Sequence, residues 1–213
     1  MISMSLDTHL ASRGVLYRLL ALAFYEPSSA LGNVLESEPV LVEIEQAIEQ
    51  VLGEEGTRIL RAMVDAFHQT SDDLELKVEY NRLFVGPGAL PCPPYQSVYD
   101  KTRPSEDRGT VMGPTAEAVE KAMRQEGLGV VLDHAELPDH VAVVLEFMYY
   151  LLSRSQGRED SAAYAERADQ FRSQHVAPWL AEFGALVAKQ AKQPFYVQLG
   201  RLLEQFAKSE TIQ

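Results

Sequence analysis

The sequence has a single cysteine, Cys92. One thiol can neither close an internal disulfide nor build a thiolate metal cage, and such sparse use fits a reducing compartment. Basic residues are also scarce: 19 Lys and Arg stand against 31 Asp and Glu, for a formal net charge of −12. A phosphate backbone needs a Lys/Arg surface, so nucleic acid drops out as a partner and a basic partner is favoured. Long apolar runs are missing too. The most apolar stretch, VAVVLEFMYYLL at 141–152, contains Glu146 and falls short of the roughly 20 residues a bilayer span demands. The opening MISMSLDTHLASRG has no basic segment leading into an apolar one, and the VLYRLLALAF that follows is broken by Arg18. These absences predict a cytoplasmic protein without stable membrane insertion. There is no G-x-S-x-G elbow, no G-x-x-x-x-G-K-[ST] phosphate loop and no Cys/His pair in a supporting context. The expectation is a non-enzymatic protein with no cofactor and no metal.

What is present is helical period. Leu16, Leu19, Leu20, Ala23 and Phe24 fall on one face between Leu10 and Phe24, and Pro27 ends the segment. Leu41, Ile44, Ile48, Val51 and Leu52 repeat the pattern up to Gly53; Ile59, Leu60, Met63, Val64 and Phe67 repeat it up to Thr70. Leu76, Tyr80, Leu83 and Phe84 form a fourth helix, with Ser71 to Asp73 as its start signal and Gly86-Pro87 as its stop. Further helices are expected over Thr115–Gln125, from Pro138 to about Ser153, and over Ser161–Phe171, Val176–Ala188 and Phe195–Phe206. The Pro138 helix is apolar almost all round and belongs near the middle of a bundle. With ordinary globular composition and no strand alternation, the fold class is all-α: one compact domain of eight or nine helices spanning 1–213.

Two stretches stand out from this helical background. The first, EYNRLFVGPGALPCPPYQSVYD at 79–100, carries four prolines, and no helical period is visible from Val85 to Pro114. A loop stiffened by Pro87, Pro91, Pro93 and Pro94 loses little entropy on binding, so it can hold aromatic side chains ready for a partner. The second, DHAELPDHVAVV at 133–144, places His134, Glu136, Asp139 and His140 together. Two readings are open. The carboxylates serve the positive end of a helix, or they pair with a ligand guanidinium, Asp139 and Glu146 being seven apart and so on one helix face. A metal-dependent hydrolase built on His134, Glu136, Asp139 and His140 is the enzymatic alternative, although the histidines are six apart across Pro138 and lack the i, i+4 spacing of helix-borne metal sites.

Together the two stretches resemble the TorD/DmsD/NarJ family of redox-enzyme maturation chaperones. The resemblance rests on Tyr80-Asn81-Arg82-Leu83-Phe84-Val85-Gly86-Pro87, on Pro93-Pro94-Tyr95-Gln96-Ser97-Val98-Tyr99 and on Glu136-Leu137-Pro138-Asp139-His140. It extends through HVAPWLAEF at 175–183 and QPFYVQLG at 193–200. The resemblance implies an all-helical cytoplasmic chaperone that binds the twin-arginine signal peptide of a molybdenum-cofactor oxidoreductase and holds the precursor until its cofactor is inserted. It implies a peptide site made of Tyr80, Leu83, Phe84, Pro94, Tyr95 and Ser97, with Glu136, Asp139 and His140 at its polar end. Replacing Phe84 or Tyr95 should then weaken peptide binding more than folding. It also implies a monomer able to form a domain-swapped dimer, with a candidate hinge near 128–137. A general helical adaptor would instead bind without regard to paired arginines.

Overall fold

The computed structural model describes residues 2–70, 73–129, 136–156 and 160–211. Among these residues there are ten α-helices and no β-strand, and the buried side chains from Leu16 to Ala207 join in one contiguous core. The fold class is the expected one.

Helix α1 (Ile2–Phe24) and helix α7 (Val141–Arg154) pack against each other at the centre. The apolar character of α7 all round explains its position: Val141, Ala142, Val144, Leu145, Phe147, Met148, Leu151 and Leu152 are all buried. In α1 the burial exceeds the single apolar face visible in sequence. Leu16, Tyr17, Leu19, Leu20, Ala21, Ala23 and Phe24 are each at most 4% exposed, so this helix is enclosed on several sides by α7 and by α3 (Glu38–His68). Helix α3 starts with a proline in its first turn and is interrupted at Gly53, whose φ of 66° is left-handed. Glycine adopts that conformation at little cost, and the expected boundary between two helices lies there.

Two short helices were not visible as periods: α2 (Ser29–Leu35) and α5 (Gln96–Tyr99). The others follow the sequence pattern more closely. They are α4 (Asp73–Tyr80), α6 (Pro114–Gln125), α8 (Ser161–Phe171), α9 (Leu180–Gln190) and α10 (Pro194–Thr211). Helix α4 runs directly into a π-helical turn over Asn81–Val85, closed by the Gly86 amide donating to Asn81 O at 2.7 Å. A second π turn, Arg172–Val176, extends α8, and α9 begins only at Leu180 rather than Val176. Ser71 and Asp72, and residues 130–135 of the expected hinge, lie outside the described residues.

Helices α9 and α10 cross at two glycines. A Cβ on Gly200 would lie 2.4 Å from the Ala188 amide nitrogen, and one on Gly184 would lie 2.6 Å from that of Glu204. Only glycine lets the two backbones approach this closely. The end of α10 is tied back to α1 by Arg13, which donates twice to Glu210 at 2.6 and 2.7 Å, and by the Tyr17 hydroxyl at 2.6 Å.

Candidate functional site

The proline-rich loop folds back on the helix it leaves. The Cys92 amide donates to Leu83 O at 3.1 Å, so the chain returns across the π turn and lays Pro93 to Ser97 beside the start of α7. There the two singled-out stretches meet. Tyr95 and His140 form an isolated antiparallel bridge; the Val141 amide donates to Pro94 O at 2.8 Å and the Gln96 amide to Asp139 O at 3.0 Å. Stretches about 40 residues apart in sequence are thus joined main chain to main chain, which satisfies backbone groups that irregular segments would otherwise leave unpaired.

Asp139 is fully buried. Its Oδ2 accepts from the Ser97 amide at 2.8 Å, capping the short helix α5, while its Oδ1 has no hydrogen-bond partner among the described residues. This corrects the reading of Asp139 as a residue of the α7 face. Pro138 lies in a turn, α7 begins at Val141 with His140 as its N-cap, and helical spacing to Glu146 therefore does not apply. The buried carboxylate holds the loop; it is Glu146 that is exposed. Ser97 is also fully buried, its hydroxyl accepting from the Met112 amide at 3.1 Å.

His140 Nδ1 accepts from the Ala142 amide at 3.3 Å, and its ring is only 1% exposed. Burial depresses its pKa from 6.5 to about 4, so the ring is neutral at physiological pH. With Nδ1 accepting, the proton sits on Nε2, which is 3.9 Å from Glu136 Oε2; the two are not an ion pair. The ring lies between Tyr95, edge-on at 5.4 Å, and Tyr25, stacked at 6.5 Å. Glu136 is half-buried, and desolvation raises its pKa.

Tyr25, absent from the expected site, and Glu146, expected there only as the helix-face partner of Asp139, complete the patch. The Tyr25 hydroxyl donates to Glu146 Oε2 at 2.7 Å. Burial is the main reason the Tyr25 and Tyr80 phenols are shifted upward; Glu146 and Glu136 add to it at Tyr25, Glu136 and Glu26 at Tyr80. Three glutamates therefore bear on one group of tyrosine rings. Among the described residues neither Glu26 nor Glu146 is paired with a lysine or arginine. The signal for Tyr25 was its place just past the end of α1, ahead of Pro27, but a lone aromatic there also suits ordinary packing.

The other expected site residues lie beneath this surface. Leu83 is 0% and Phe84 2% exposed, and Phe84 meets the rings of Phe24, Tyr80, Phe183 and Tyr196. They are core side chains without a solvent face, which removes the reason to expect Phe84 to affect binding more than folding. Tyr80 is 3% exposed, its hydroxyl donating to Phe24 O at 3.4 Å, and Pro94 is buried; Tyr95 is the half-buried ring that reaches the surface. Two residues inside the first stretch have a structural role that its motif concealed. Arg82 forms a two-pronged pair with Glu79 at 2.7 Å, and Glu79 Oε1 accepts from the Lys192 amide at 2.5 Å and, more weakly, from the Gln193 amide, fixing the approach to α10. Burial opposes ionisation of Glu79, but these donors hold its pKa below the usual value. Burial pushes the Cys92 thiol up to about 12, an inert side chain in the core.

The residues of the hydrolase alternative are not assembled as ligands. Asp139 is buried against Ser97, and His140 Nδ1 is occupied as a cap. His134 is outside the described residues, among which no group of three His, Cys, Asp or Glu side chains is placed to hold a metal ion. No helix of the described residues is long and apolar enough to cross a membrane.

The chain is similar to known proteins in sequence and in fold. The family described as nitrate reductase delta subunit matches residues 46–185, which contain both stretches. A Tat proofreading chaperone DmsD from Salmonella typhi is 30% identical over 142 residues, covering 66% of this chain and 63% of that protein. The chaperone protein TorD of Shewanella loihica is 27% identical over 177 residues, covering 83% of this chain and 74% of its own length. In three dimensions the chain is similar to a crystal structure from Archaeoglobus fulgidus described as a redox enzyme maturation protein, with a TM-score of 0.56 and 25% identity over 92% of this chain and 93% of the other. On the extent of the family match and the meeting of its two stretches in space, the chain belongs to the nitrate reductase delta subunit family, the group of TorD, DmsD and NarJ.

Proposed function

We propose that this protein is a non-enzymatic chaperone that binds the twin-arginine signal peptide of a molybdenum-cofactor oxidoreductase subunit in the cytoplasm and retains the precursor until its cofactor is in place. The observation that carries the reading is the patch where Tyr25 donates to Glu146 and stacks on His140, Tyr95 meets the same ring edge-on and Glu136 lies 3.9 Å from it, with no lysine or arginine paired to Glu146 among the described residues. A guanidinium suits such a place twice over. Its planar fork matches carboxylates, and its cation is attracted to aromatic faces.

Each expected site residue then takes a role by depth. Tyr95 and Glu136 contact the peptide. His140, Asp139 and Ser97 hold the loop that presents Tyr95, and Pro94 fixes its register on α7. Tyr80, Leu83 and Phe84 support the patch from the core. The relatives' names, a Tat proofreading chaperone, a chaperone protein TorD and a redox enzyme maturation protein, point the same way.

The test is to express the tagged protein in its native host under anaerobic growth, isolate it and identify what accompanies it by mass spectrometry. A molybdoenzyme precursor with its signal peptide attached is the expected companion. Intact folded protein with no oxidoreductase subunit would count against the reading.

A further inference from the structure

Residues 100–113, which join α5 to α6, contribute no side chain to the core. Every residue from Pro104 to Met112 is exposed, Val111 and Met112 each at 47%. A strap without apolar anchors is held by its polar contacts alone, and it can open while the rest of the protein stays folded. Those contacts fall on few residues. Asp100 closes the base: its Oδ1 accepts from the Thr102 amide and hydroxyl at 2.9 and 2.6 Å, and its Oδ2 from the Thr115 hydroxyl at 2.6 Å. Arg103 closes the middle, its Nη1 donating to Thr110 O at 2.8 Å, to Met112 O at 3.1 Å and, more loosely, to Ser97 O at 3.4 Å.

The closed shape has a backbone cost. Gly109 and Gly113 are left-handed, as glycine readily is, but so is Met112, with φ of 71°. Met112 is held there at both ends, its amide donating to Ser97 Oγ at 3.1 Å and its carbonyl accepting from Arg103. Ser97 is thus where the strap meets the patch. Its hydroxyl and carbonyl face the strap, while its amide donates to Asp139 Oδ2 at 2.8 Å. Two residues earlier stands Tyr95, the N-cap of α5 and the ring set against His140. Opening the strap would take two of the three partners from Ser97 and leave α5, and with it Tyr95, less firmly placed. Among the described residues Arg103 forms no ion pair with a carboxylate, so its guanidinium is committed to this main chain.

We propose that this strap opens and closes in step with the peptide site, with Arg103 as a positioning residue that acts on Tyr95 through Ser97. The inference rests on the function proposed above and adds a conformational control to that site. Coupling between two places on one protein is reciprocal, so a peptide that needs Tyr95 in position also holds the strap closed.

The experiment uses the full-length protein, a twin-arginine peptide without acidic residues and a protease that cuts after glutamate, since Glu106 lies exposed within the strap. Mass spectrometry times the cut at Glu106, and calorimetry measures peptide affinity in the same buffer. Saturating peptide should slow the cut in wild type at least about fivefold, the lower end of ordinary coupling. Arg103→Ala should be cut quickly with or without peptide, bind it more weakly by a similar factor and unfold in urea near the wild-type midpoint. Arg103→Lys should keep both properties, because one nitrogen reaches all three carbonyls and an ammonium carries three donors. The wild-type comparison needs no variant, so it decides the matter even if Arg103→Ala does not fold. Wild type that binds the peptide yet is cut no more slowly overturns the coupling while the reading of the patch stands. An Arg103→Ala protein with wild-type affinity does the same. Full protection in a Ser97→Ala protein that still binds would mean that the peptide covers the strap directly, and it overturns the route through Ser97. Wild type that binds no twin-arginine peptide removes the proposed function, and this inference with it.

Discussion

Asp139 and Glu146 show how burial decides the work a carboxylate can do. The first is enclosed and accepts a main-chain hydrogen bond; the second is exposed and holds a tyrosine hydroxyl. Glu146→Gln should therefore weaken peptide binding by about 0.5–1 kcal/mol, the scale of an exposed charge pair, and flatten its dependence on salt. Asp139→Asn keeps an oxygen for the Ser97 amide and should leave the salt slope unchanged; calorimetry at two ionic strengths separates the two variants. A similar contrast holds among the aromatics. Phe84→Ala opens a void among four other rings and should cost roughly 3–5 kcal/mol of stability in urea unfolding. Tyr95→Ala removes a half-buried ring and should be felt mainly in peptide affinity.

At the scale of elements, the glycine crossing of α9 and α10 sets two effects against each other. Alanine at Gly200 gains roughly 1 kcal/mol of helix propensity. Its methyl, however, would stand 2.4 Å from a main-chain nitrogen that no rotamer change can move. The clash wins, and Gly200→Ala should lower stability by roughly 2 kcal/mol, seen as a shifted urea midpoint with an unchanged slope. Helices long enough to repeat their apolar spacing were legible in the sequence, down to the break at Gly53. Those that escaped were α2 and α5, seven and four residues long, which are too short to show a period. The two π turns have no side-chain signature, so the reversal that brings Cys92 onto Leu83 could not be read in advance. The start of α7 was misplaced for a related reason. Pro138 suits a first helical turn, whereas the actual cap is His140, outside the usual Ser, Thr, Asp and Asn set. That shift of three residues is what removed Asp139 from the face of Glu146. Of the candidate patch, Tyr95, Glu136, His140 and Glu146 stood out in the sequence, whereas Tyr25 and Glu26, brought in by the end of α1, did not.

For the molecule as a whole, two buried histidines link stability to pH. His140 and His175 are 1% and 5% exposed, and burial lowers each pKa from 6.5 to about 4. The unfolded chain then takes up protons that the folded chain refuses, so the stabilising effect is complete above about pH 6.5 and is lost as pH falls toward 4. Each histidine contributes about 3 kcal/mol at most. Urea unfolding between pH 7 and pH 4.5 should show the loss, and His175→Gln should reduce the slope. The same chain carries a net charge of −12, and under the proposed function part of this charge selects paired arginines. The most direct measurement is a calorimetric titration with a twin-arginine signal peptide and with its counterpart bearing two glutamines in place of the arginines, at low and high salt. The account predicts binding of the first that weakens as salt rises, and loss of binding with the second. Equal affinity for both peptides would contradict it and leave a helical adaptor with no use for the arginines.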